Sequence, residues 1–375
     1  LAIASCRRDG LPENPAEIEA GLRLNGLVAF ADPPRASAAA TIDACRAAGI
    51  VPVLVTGDHQ ATARNIAERV GVSSPGTRVA GDGELGEAAP DPRDVSVFAR
   101  TTPTEKLQLV TAWQKRGDVV AMTGDGVNDA PALRRADIGV AMGRRGTDIA
   151  RQAADMVLAD DDLGTIVAAV EEGRRVYANV RRFLLYALAG GGAELLVMLL
   201  GPAVGFPLPL LPSQILWLNL LTHGLPGVAM GAEPASRNVM RRPPRPVDES
   251  VLGDWLWVRA LVLATLLAAT AIGAGLWARA TEVPQRTSIF LVLGMAQFGV
   301  ALAVRAQPGT RKNPFLLLAV AASFLLLVGG VYVSPLRSLL GTHTLEPAQA
   351  ALLSTAAVIG YAVTHVVRRI HETEI

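Results

Sequence analysis

The sequence predicts two parts of different fold class, an α/β domain with a doubly wound parallel sheet and an α-helical membrane bundle. In the first part, short apolar runs alternate with helical patterns, which is typical of parallel strands joined by helices. After Arg182, six apolar runs each reach roughly the 20 residues that a membrane-spanning helix needs. The chain of 375 residues is 50% hydrophobic, and the excess over a typical soluble protein lies almost wholly after Arg182.

Charge and cysteine content narrow the function classes. A formal net charge of +1 does not indicate a nucleic-acid partner, and we expect none. The two cysteines, Cys6 and Cys45, form no Cys-x-x-Cys pair, so neither a disulfide framework nor a soft-metal site is predicted. The first twenty residues lack the apolar core of a cleavable signal peptide. Leu1 rather than Met begins the chain, which suggests a fragment of a longer protein.

The α/β part is predicted from an ordered series of elements. Apolar runs that predict strands span residues 26–31, 50–55, 95–99 and 119–122. Helical patterns between them span residues 38–48, 60–70 and 105–114. Sheets of this kind bind ligands beyond the carboxyl ends of their strands. Polar motifs at those ends are therefore the candidate site.

The most informative motif directly follows the last of these strands. Residues 122–133 read Met-Thr-Gly-Asp-Gly-Val-Asn-Asp-Ala-Pro-Ala-Leu. Asp125 and Asp129 lie four residues apart among glycines, which let the backbone come close to a ligand. Mg²⁺ prefers one or two carboxylates together with water and phosphate oxygens. The run predicts a Mg²⁺ site beside a phosphoryl group, although an acidic surface turn would suit Gly-Asp-Gly alone.

Three further motifs occupy strand ends or helix starts. They are Asp32-Pro33-Pro34-Arg35, Thr56-Gly57-Asp58, and Lys106 within Thr101-Thr102-Pro103-Thr104-Glu105-Lys106. Each has a plain structural interpretation when taken alone: a rigid proline turn, a helix cap at Asp58, and a solvated lysine. Their order along the chain, together with residues 122–133, is far more specific than any one of them.

In this order the motifs resemble those of P-type ATPases, the ion pumps that pass through a phosphorylated aspartate. The resemblance implies a haloacid-dehalogenase-like (Rossmann-like) phosphorylation domain, ATP as substrate and Mg²⁺ as cofactor. It places Asp125 and Asp129 at Mg²⁺, Asn128 and Lys106 at the phosphoryl group, and Thr56 and Gly57 as hydrogen-bond partners of its oxygens. It places Asp58, Arg35 and Asp32 on the nucleotide side. Phosphoryl transfer depends mostly on such positioning and charge stabilisation.

The nucleophile that the family uses is absent from the sequence. It is the aspartate of an Asp-Lys-Thr-Gly-Thr motif, which does not occur here. The resemblance implies the tail of a nucleotide-binding domain at 1–20, a phosphorylation domain without its nucleophile strand at 21–182, and a membrane domain at 183–375. We therefore expect this chain alone to be inactive, its sheet to have a gap or exposed edge, and its partner to be the missing amino-terminal part of the same pump.

The apolar runs of the second part predict six transmembrane helices. They span residues 183–201, 208–232, 255–278, 288–304, 314–333 and 348–367. Arginines cluster before the first run, between the second and third, between the fourth and fifth, and after the sixth. By the positive-inside rule, these clusters put the α/β domain in the cytoplasm. We expect a multi-pass protein of the plasma membrane.

Polar residues inside these runs are candidates for a cation site, because they are costly in a membrane and usually functional. Glu194 lies near the middle of the first run. Asn219, Thr222 and His223 lie at i, i+3 and i+4 and share one helical face. Gln297 lies in the fourth run. The alternatives are a neutral packed carboxyl at Glu194 and interhelical hydrogen bonding by the others.

Six helices after the hinge motif resemble type II pumps, and residues 216–222, Glu233-Pro234 and Arg242-Pro243-Pro244-Arg245 resemble the calcium-pump branch. In that branch the matching positions carry Asn, Thr and Asp, whereas here His223 replaces the Asp. Gly191 stands where those pumps carry Asn, and Gln297 where they carry Glu or Gln. Because Ca²⁺ takes six to eight oxygens and His suits transition metals or protons, the expected cargo is Ca²⁺ or another divalent cation.

Three functions remain open from the sequence. The first is the carboxyl-terminal part of a cation-transporting P-type ATPase. The second is a non-catalytic, truncated membrane protein that binds Mg²⁺ or a complementing partner chain. The third is a membrane-anchored phosphatase, for which Asp32 is a poor nucleophile because Pro33 and Pro34 follow it.

Overall fold

The computed structural model describes residues 1–7, 21–28, 33–81, 91, 94–253, 255–305 and 313–372. Its α/β part contains short strands joined by helices. The strands are β1 Ala2–Ser5, β2 Arg23–Leu27, β3 Leu54–Val55, β4 Val79–Ala80, β5 Val97–Phe98, β6 Ala121–Gly124, β7 Ile138–Met142 and β8 Met156–Leu158. The helices are α1 Ala38–Ala47, α2 Gln60–Val70, α3 Pro103–Lys115, α4 Ala130–Arg135 and α5 Asp148–Ala153. This alternation confirms the predicted α/β class.

Parallel pairing divides most strands between two sheets, with the orders β3-β5-β4 and β6-β7-β8. Strands β3 and β6 lie at sheet edges and do not pair with each other in the described part of the chain. Both strands end at a polar motif, at Thr56 and Asp125. The polar motifs therefore lie at strand ends as predicted, although β7 and β8 were not predicted as strands.

The strand predicted at residues 26–31 is wrong in its bounds and its pairing. Strand β2 begins earlier and pairs antiparallel with β1, with Ala2 opposite Leu27. A polar cross-strand contact helps to set this register, since the Asn25 Nδ2 atom donates to Ser5 Oγ at 2.8 Å. Cross-strand side-chain pairs of this kind stabilise antiparallel strands. Residues 29–32, including Asp32, lie outside the described residues.

Helices form the second part. They are α6 Gly164–Leu200, α7 Pro212–Asn219, α8 Leu225–Met230, α9 Leu256–Ala280, α10 Gln285–Ala303, α11 Pro314–Tyr332, α12 Ser334–Leu340, α13 Pro347–Ser354 and α14 Ala356–Glu372. Five spans are long and apolar enough to cross a membrane among the described residues: Gly164–Leu200, Leu256–Ala280, Gln285–Ala303, Pro314–Tyr332 and Pro347–Arg369. The chain is therefore a multi-pass membrane protein.

The predicted count of six spans is not confirmed, because the second run does not form one regular helix. A π-helical turn, Leu220–Gly224, lies between α7 and α8. Pro226 follows within the first turn of α8. Proline has no backbone N–H to donate, and π-helical turns are frequent at functional sites. The sixth span stays a prediction.

Helix α10 lies at the centre of the bundle, since nearly all of its residues are buried. The helices around it expose apolar side chains outward, among them Leu195, Leu266, Leu325 and Val358. Large exposed apolar surfaces are normal where lipid replaces water. The bundle is thus arranged with its polar interior groups around α6 and α10 and its apolar surface toward the bilayer.

Two arginines of α6 hold the loop that follows α8. Arg174 donates from Nη1 to the carbonyls of Val239 and Arg242, each at 2.9 Å, and from Nη2 to the Ala48 carbonyl at 2.8 Å. Arg175 donates to the Gly231 and Glu233 carbonyls, each at 2.9 Å. Arg174 thereby joins the end of α1 to the membrane part.

Gly49 allows the end of α1 to lie close to the loop that follows α8. Its φ of +74° is in the left-handed region, and a Cβ there would lie 2.8 Å from Pro244 Cδ and 2.9 Å from Pro243 Cα. Only glycine fits both the backbone conformation and the proline contact. The Arg242-Pro243-Pro244-Arg245 loop is therefore seated on the end of α1.

Asp161 closes the turn between β8 and α6. Its Oδ1 and Oδ2 atoms accept from the backbone N–H groups of Arg144 at 2.9 Å and Arg145 at 3.1 Å. These hydrogen bonds, of which the one from Arg144 has the largest effect, hold the pKa of the Asp161 carboxyl below its ordinary value. The charged carboxylate thus stabilises the folded turn.

We predict that Asp161→Asn speeds hydrogen exchange of the β7 and β8 amides, because an amide side chain accepts these N–H groups less strongly. A depressed folded-state pKa gives stability that is present above the ordinary carboxyl pKa and is lost as pH falls through the lowered one. The difference between wild type and variant should therefore vanish on acidification. A pH-independent difference would contradict this origin.

Candidate functional site

The loop after β3 is tied to the loop after β5. The Thr56 N–H donates to the Phe98 carbonyl at 2.9 Å, and the Thr101 N–H donates to the Thr56 carbonyl at 3.0 Å. The Asp58 N–H donates to Thr56 Oγ1 at 3.1 Å. Thr56 is therefore fixed at the carboxyl end of its strand, while Gly57 and Asp58 are exposed.

The structural alternative for Asp58, a helix cap, does not hold. His59 is the residue before α2, and its Nδ1 atom accepts from the Ala61 N–H at 3.3 Å. Asp58 lies one residue too early for this role, so its side chain remains exposed at the sheet edge.

Lys106 is placed by a well-defined helix start. The Thr102 side chain accepts from the Glu105 N–H at 3.3 Å, and Glu105 Oε2 accepts from the Thr102 N–H at 2.7 Å. This is a capping box, which satisfies two backbone donors that the helix leaves open. Lys106 follows in the next turn, and its Nζ lies 2.7 Å from Asp129 Oδ1. The lysine is an ion-pair partner rather than a solvated residue.

The glycine turn after β6 brings Asp129 to this lysine. The Gly126 N–H donates to Asp129 Oδ2 at 3.2 Å. A Cβ at Gly124 would lie 2.5 Å from Asp129 Cβ, so the side chain packs directly against the glycine backbone. Asp129 is buried, whereas Asp125 and Asn128 are exposed. The turn thus has one fixed carboxylate and two side chains that face outward.

The predicted nucleotide-side residue Arg35 lies near Asp161. Arg35 is exposed before α1, and its positive charge helps to lower the pKa of the Asp161 carboxyl. Asp32 lies outside the described residues. Thr101, which sequence reasoning did not assign, links Thr56 to the start of α3, and its hydroxyl also donates to the Thr56 carbonyl at 3.0 Å. Its position directly before Thr102, the first residue of the capping box, is the sequence feature that indicates this role.

The donor set at the turn fits Mg²⁺ but not a metal held by protein alone. No group of three or more His, Cys, Asp or Glu side chains that could hold a metal ion occurs within the described ranges. Asp125 and Asp129 supply carboxylate oxygens, and Mg²⁺ takes its remaining ligands from water and substrate phosphate. An exposed Asp125 suits such a shared site.

A second polar cluster joins three helices of the membrane part. Glu194 of α6 is 4% exposed. Its Oε1 accepts from Gln297 Nε2 of α10 at 3.1 Å, and its Oε2 accepts from Asn219 Nδ2 of α7 at 3.2 Å. The structure therefore brings together three residues that were predicted from separate apolar runs. One acidic group is surrounded by amide donors rather than by other charges.

The other two predicted residues lie in the π-helical turn. Thr222 donates its hydroxyl to the Leu218 carbonyl at 2.8 Å, so this hydroxyl is used within its own helix. The His223 ring lies edge-on to the Tyr186 ring, with centroids 5.8 Å apart. Tyr186 was not predicted; it is fully buried and donates to the Thr222 carbonyl at 2.9 Å. Tyr186 thus supports the backbone of the turn.

Comparison with protein families matches both parts of the chain. Residues 207–370 match a family described as "Cation transporting ATPase, C-terminus". Residues 4–137 and 105–170 match two families described as "haloacid dehalogenase-like hydrolase". Residues 171–206, which include most of α6, lie between these matches.

Curated relatives carry transport names. "Probable cation-transporting ATPase F" of Mycobacterium tuberculosis is 50% identical over 273 residues, 70% of this chain and 30% of the relative. "Endoplasmic reticulum calcium ATPase srcA" of Aspergillus fumigatus is 44% identical over 74% of this chain and 30% of the relative. "Calcium-transporting ATPase" of Bacillus subtilis is 39% identical over 88% and 39%. The chain thus spans less than half the length of these relatives.

We predict that Gly124→Ala weakens Mg²⁺ binding by the chain on the order of 10-fold, as loss of a supporting contact typically does. The added methyl group would displace Asp129 from its position opposite Lys106. Gly126→Ala is the matched control, since its Cβ would meet Asp129 Oδ2 only at an ordinary 3.5 Å. Titration calorimetry measures both affinities. Equal losses in the two variants would contradict the predicted role of Asp129.

Proposed function

Because this chain belongs to the P-type ATPase family, we propose that it supplies the phosphate-handling and cation-binding carboxyl-terminal part of a pump that couples ATP hydrolysis to cation transport. The observation that carries the proposal is the Glu194 cluster. A carboxylate inside an apolar bundle, hydrogen-bonded by amides from two other helices, is a costly arrangement without a function. The helix that bears it starts in the α/β domain.

Within the α/β domain, we assign the turn after β6 to Mg²⁺ and the phosphoryl group. Asp125 and Asp129 would hold the ion, which supplies charge neutralisation when it is bound. Lys106 places a cation beside Asp129, 2.7 Å away, where phosphoryl oxygens need a positive charge. Asn128 faces outward from the same turn and orients the phosphoryl group. The location of Asp125, Asn128 and Asp129 just after β6, with Lys106 of α3 beside them, supports these roles.

The loop after β3 completes the proposed phosphate site. Thr56 and Gly57 hydrogen-bond phosphoryl oxygens, a role that the exposed glycine backbone suits. Asp58, Arg35 and Asp32 are assigned to the nucleotide side. ATP is the proposed substrate, and the contact of Thr56 with Thr101 couples this loop to the start of α3. Lys106 and Thr56 would then respond to the same bound phosphate.

The phosphorylated aspartate must come from another segment. No Asp-Lys-Thr-Gly-Thr motif occurs in the sequence. Within the part of the chain that the structure describes, β3 and β6 do not pair with each other, which leaves a place for a further parallel strand. Open edges of this kind readily accept another strand. We assign that strand to the amino-terminal part of the pump.

In the membrane part, the proposed cargo is a divalent cation. Glu194, Asn219, Thr222, His223 and Gln297 are the proposed transport residues. Glu194 supplies the negative charge, and the π-helical turn places Thr222 and His223 next to Asn219. The arginine clusters support a cytoplasmic α/β domain, and the cell membrane is the proposed location.

A chimaera tests this function directly. We would replace the matching segment of the Bacillus subtilis relative with this chain and measure cation-stimulated ATP hydrolysis in membrane vesicles. Radioactive phosphate from ATP should appear as an acid-stable adduct on the chimaera and not on this chain alone. A chimaera that folds and forms the adduct but responds to no cation would contradict the transport role.

In that chimaera, we predict that Glu194→Gln abolishes cation-stimulated ATP hydrolysis, because the cluster loses its only carboxylate among the described contacts. Glu171→Gln is the matched control, since Glu171 is exposed on the same helix. The rate is measured across Ca²⁺, Mn²⁺, Mg²⁺, Na⁺ and K⁺. Unchanged stimulation in the Glu194 variant would show that this carboxyl is structural.

A further inference from the structure

Two polar atoms of the membrane cluster lack protein partners. Gln297 Oε1 and His223 Nε2 are buried and have no hydrogen-bond partner among the described residues. Gln297 is fully buried. A buried acceptor without a partner costs free energy comparable to a lost hydrogen bond, so such atoms are rare unless a ligand meets them. Both atoms belong to the helices that surround Glu194.

The orientation of the Gln297 amide follows from Glu194. A carboxylate only accepts hydrogen bonds, so the amide NH₂ group must face Glu194 Oε1, 3.1 Å away. The Gln297 carbonyl oxygen therefore points to the other side, toward His223. Gln297 thus bonds Glu194 through its NH₂ group, and its carbonyl oxygen has no partner among the described residues.

Gln297 Oε1 and His223 Nε2 both lie close to the backbone of Gly190. A Cβ built there would lie 2.6 Å from Gln297 Oε1 and 2.9 Å from His223 Nε2. The atoms are therefore no farther apart than the sum of these distances, and the missing methyl group leaves the space between them open. At Gly191, one residue on, a Cβ would meet only His223 Cε1, at 3.9 Å.

We propose that this space binds a first-row transition-metal dication, with His223 Nε2 and Gln297 Oε1 as ligands and Glu194 supplying the balancing negative charge. Ca²⁺ takes six to eight oxygen ligands, whereas imidazole nitrogen is a preferred ligand of transition metals. The side chains of the five proposed transport residues offer one imidazole and five oxygens, from one carboxylate, two amides and one hydroxyl, which is fewer oxygens than the six to eight that Ca²⁺ takes. The claim that this metal is the transported cation rests on the proposed function. The claim that the site binds such a metal does not.

Co²⁺ is the probe, because its visible absorption reports the ligands around it. The full chain is purified in detergent and titrated with Co²⁺, and with Ca²⁺ as competitor. We expect a saturable absorption band that Ca²⁺ displaces only weakly. His223→Gln should shift the band and weaken Co²⁺ binding on the order of 10-fold or more, as the loss of a ligand requires.

Gly190→Ala tests the space itself. Alanine favours the helix over glycine, so the variant should fold, but its methyl group should reduce Co²⁺ affinity as strongly as His223→Gln. Gly191→Ala adds the same methyl group at the next position and should bind Co²⁺ like wild type. A band that neither Gly190→Ala nor His223→Gln changes arises from another histidine and overturns the proposal.

The outcomes separate this proposal from the proposed function. Co²⁺ binding that depends on His223, in a chain whose chimaera responds to no cation, supports the site and removes the transport role. Stimulation of the chimaera by Ca²⁺ alone, with no His223-dependent Co²⁺ band, keeps the transport role and overturns the transition-metal site.

Discussion

The continuity of helix α6 is the constraint on which the rest of the structure depends. The helix runs for 37 residues, from Gly164 to Leu200, a length of about 55 Å at 1.5 Å per residue. Its start is fixed by Asp162, whose Oδ1 accepts from the Gly164 N–H at 2.9 Å and from Ser37 Oγ at 3.0 Å. Near its other end it carries Glu194. One continuous helix therefore links the α/β domain to the Glu194 cluster.

The middle of α6 is hydrogen-bonded to the loop after α8 and to the end of α1. Arg174, Arg175 and Asn179 all donate to backbone carbonyls of the loop after α8, and Arg174 also reaches the end of α1. A displacement of α1 relative to the loop must break or shift these bonds. The same few side chains thus join the end of α1, the middle of α6 and the loop after α8.

Glycine and proline give the cluster its shape at a cost to helix stability. Gly190, Gly191 and Gly192 weaken α6 locally, by up to about 1 kcal/mol each relative to alanine. They allow close approach instead: a Cβ at Gly192 would lie 2.9 Å from Ala264 Cβ of α9. Small residues serve the same purpose at other membrane helix interfaces. Pro226 similarly accompanies the π-helical turn that holds His223.

Sequence patterns predicted what depends on local order and periodicity. Helix α2 matched its predicted bounds, and the strand-end motifs lie where the parallel sheet requires. Periodicity failed at residues 26–31, where pairing with β1 decided the strand, and at residues 208–232, where a π-helical turn interrupts the run. Neither pairing nor a changed hydrogen-bond pattern has a signal in apolar spacing. The roles of Arg174 and Tyr186 were missed for the same reason, since their partners are backbone carbonyls far along the chain.

The distance across α6 tests the central claim most directly. Nitroxide labels are placed at Glu171 and Leu199, both exposed, in a chain whose Cys6 and Cys45 are replaced by serine. Pulsed electron–electron double resonance in lipid nanodiscs should give one narrow peak near about 42 Å, the span of 28 residues of unbroken helix. A broad distribution, or a peak shorter by about 10 Å or more, would show that the helix breaks between the two sites and would contradict the account.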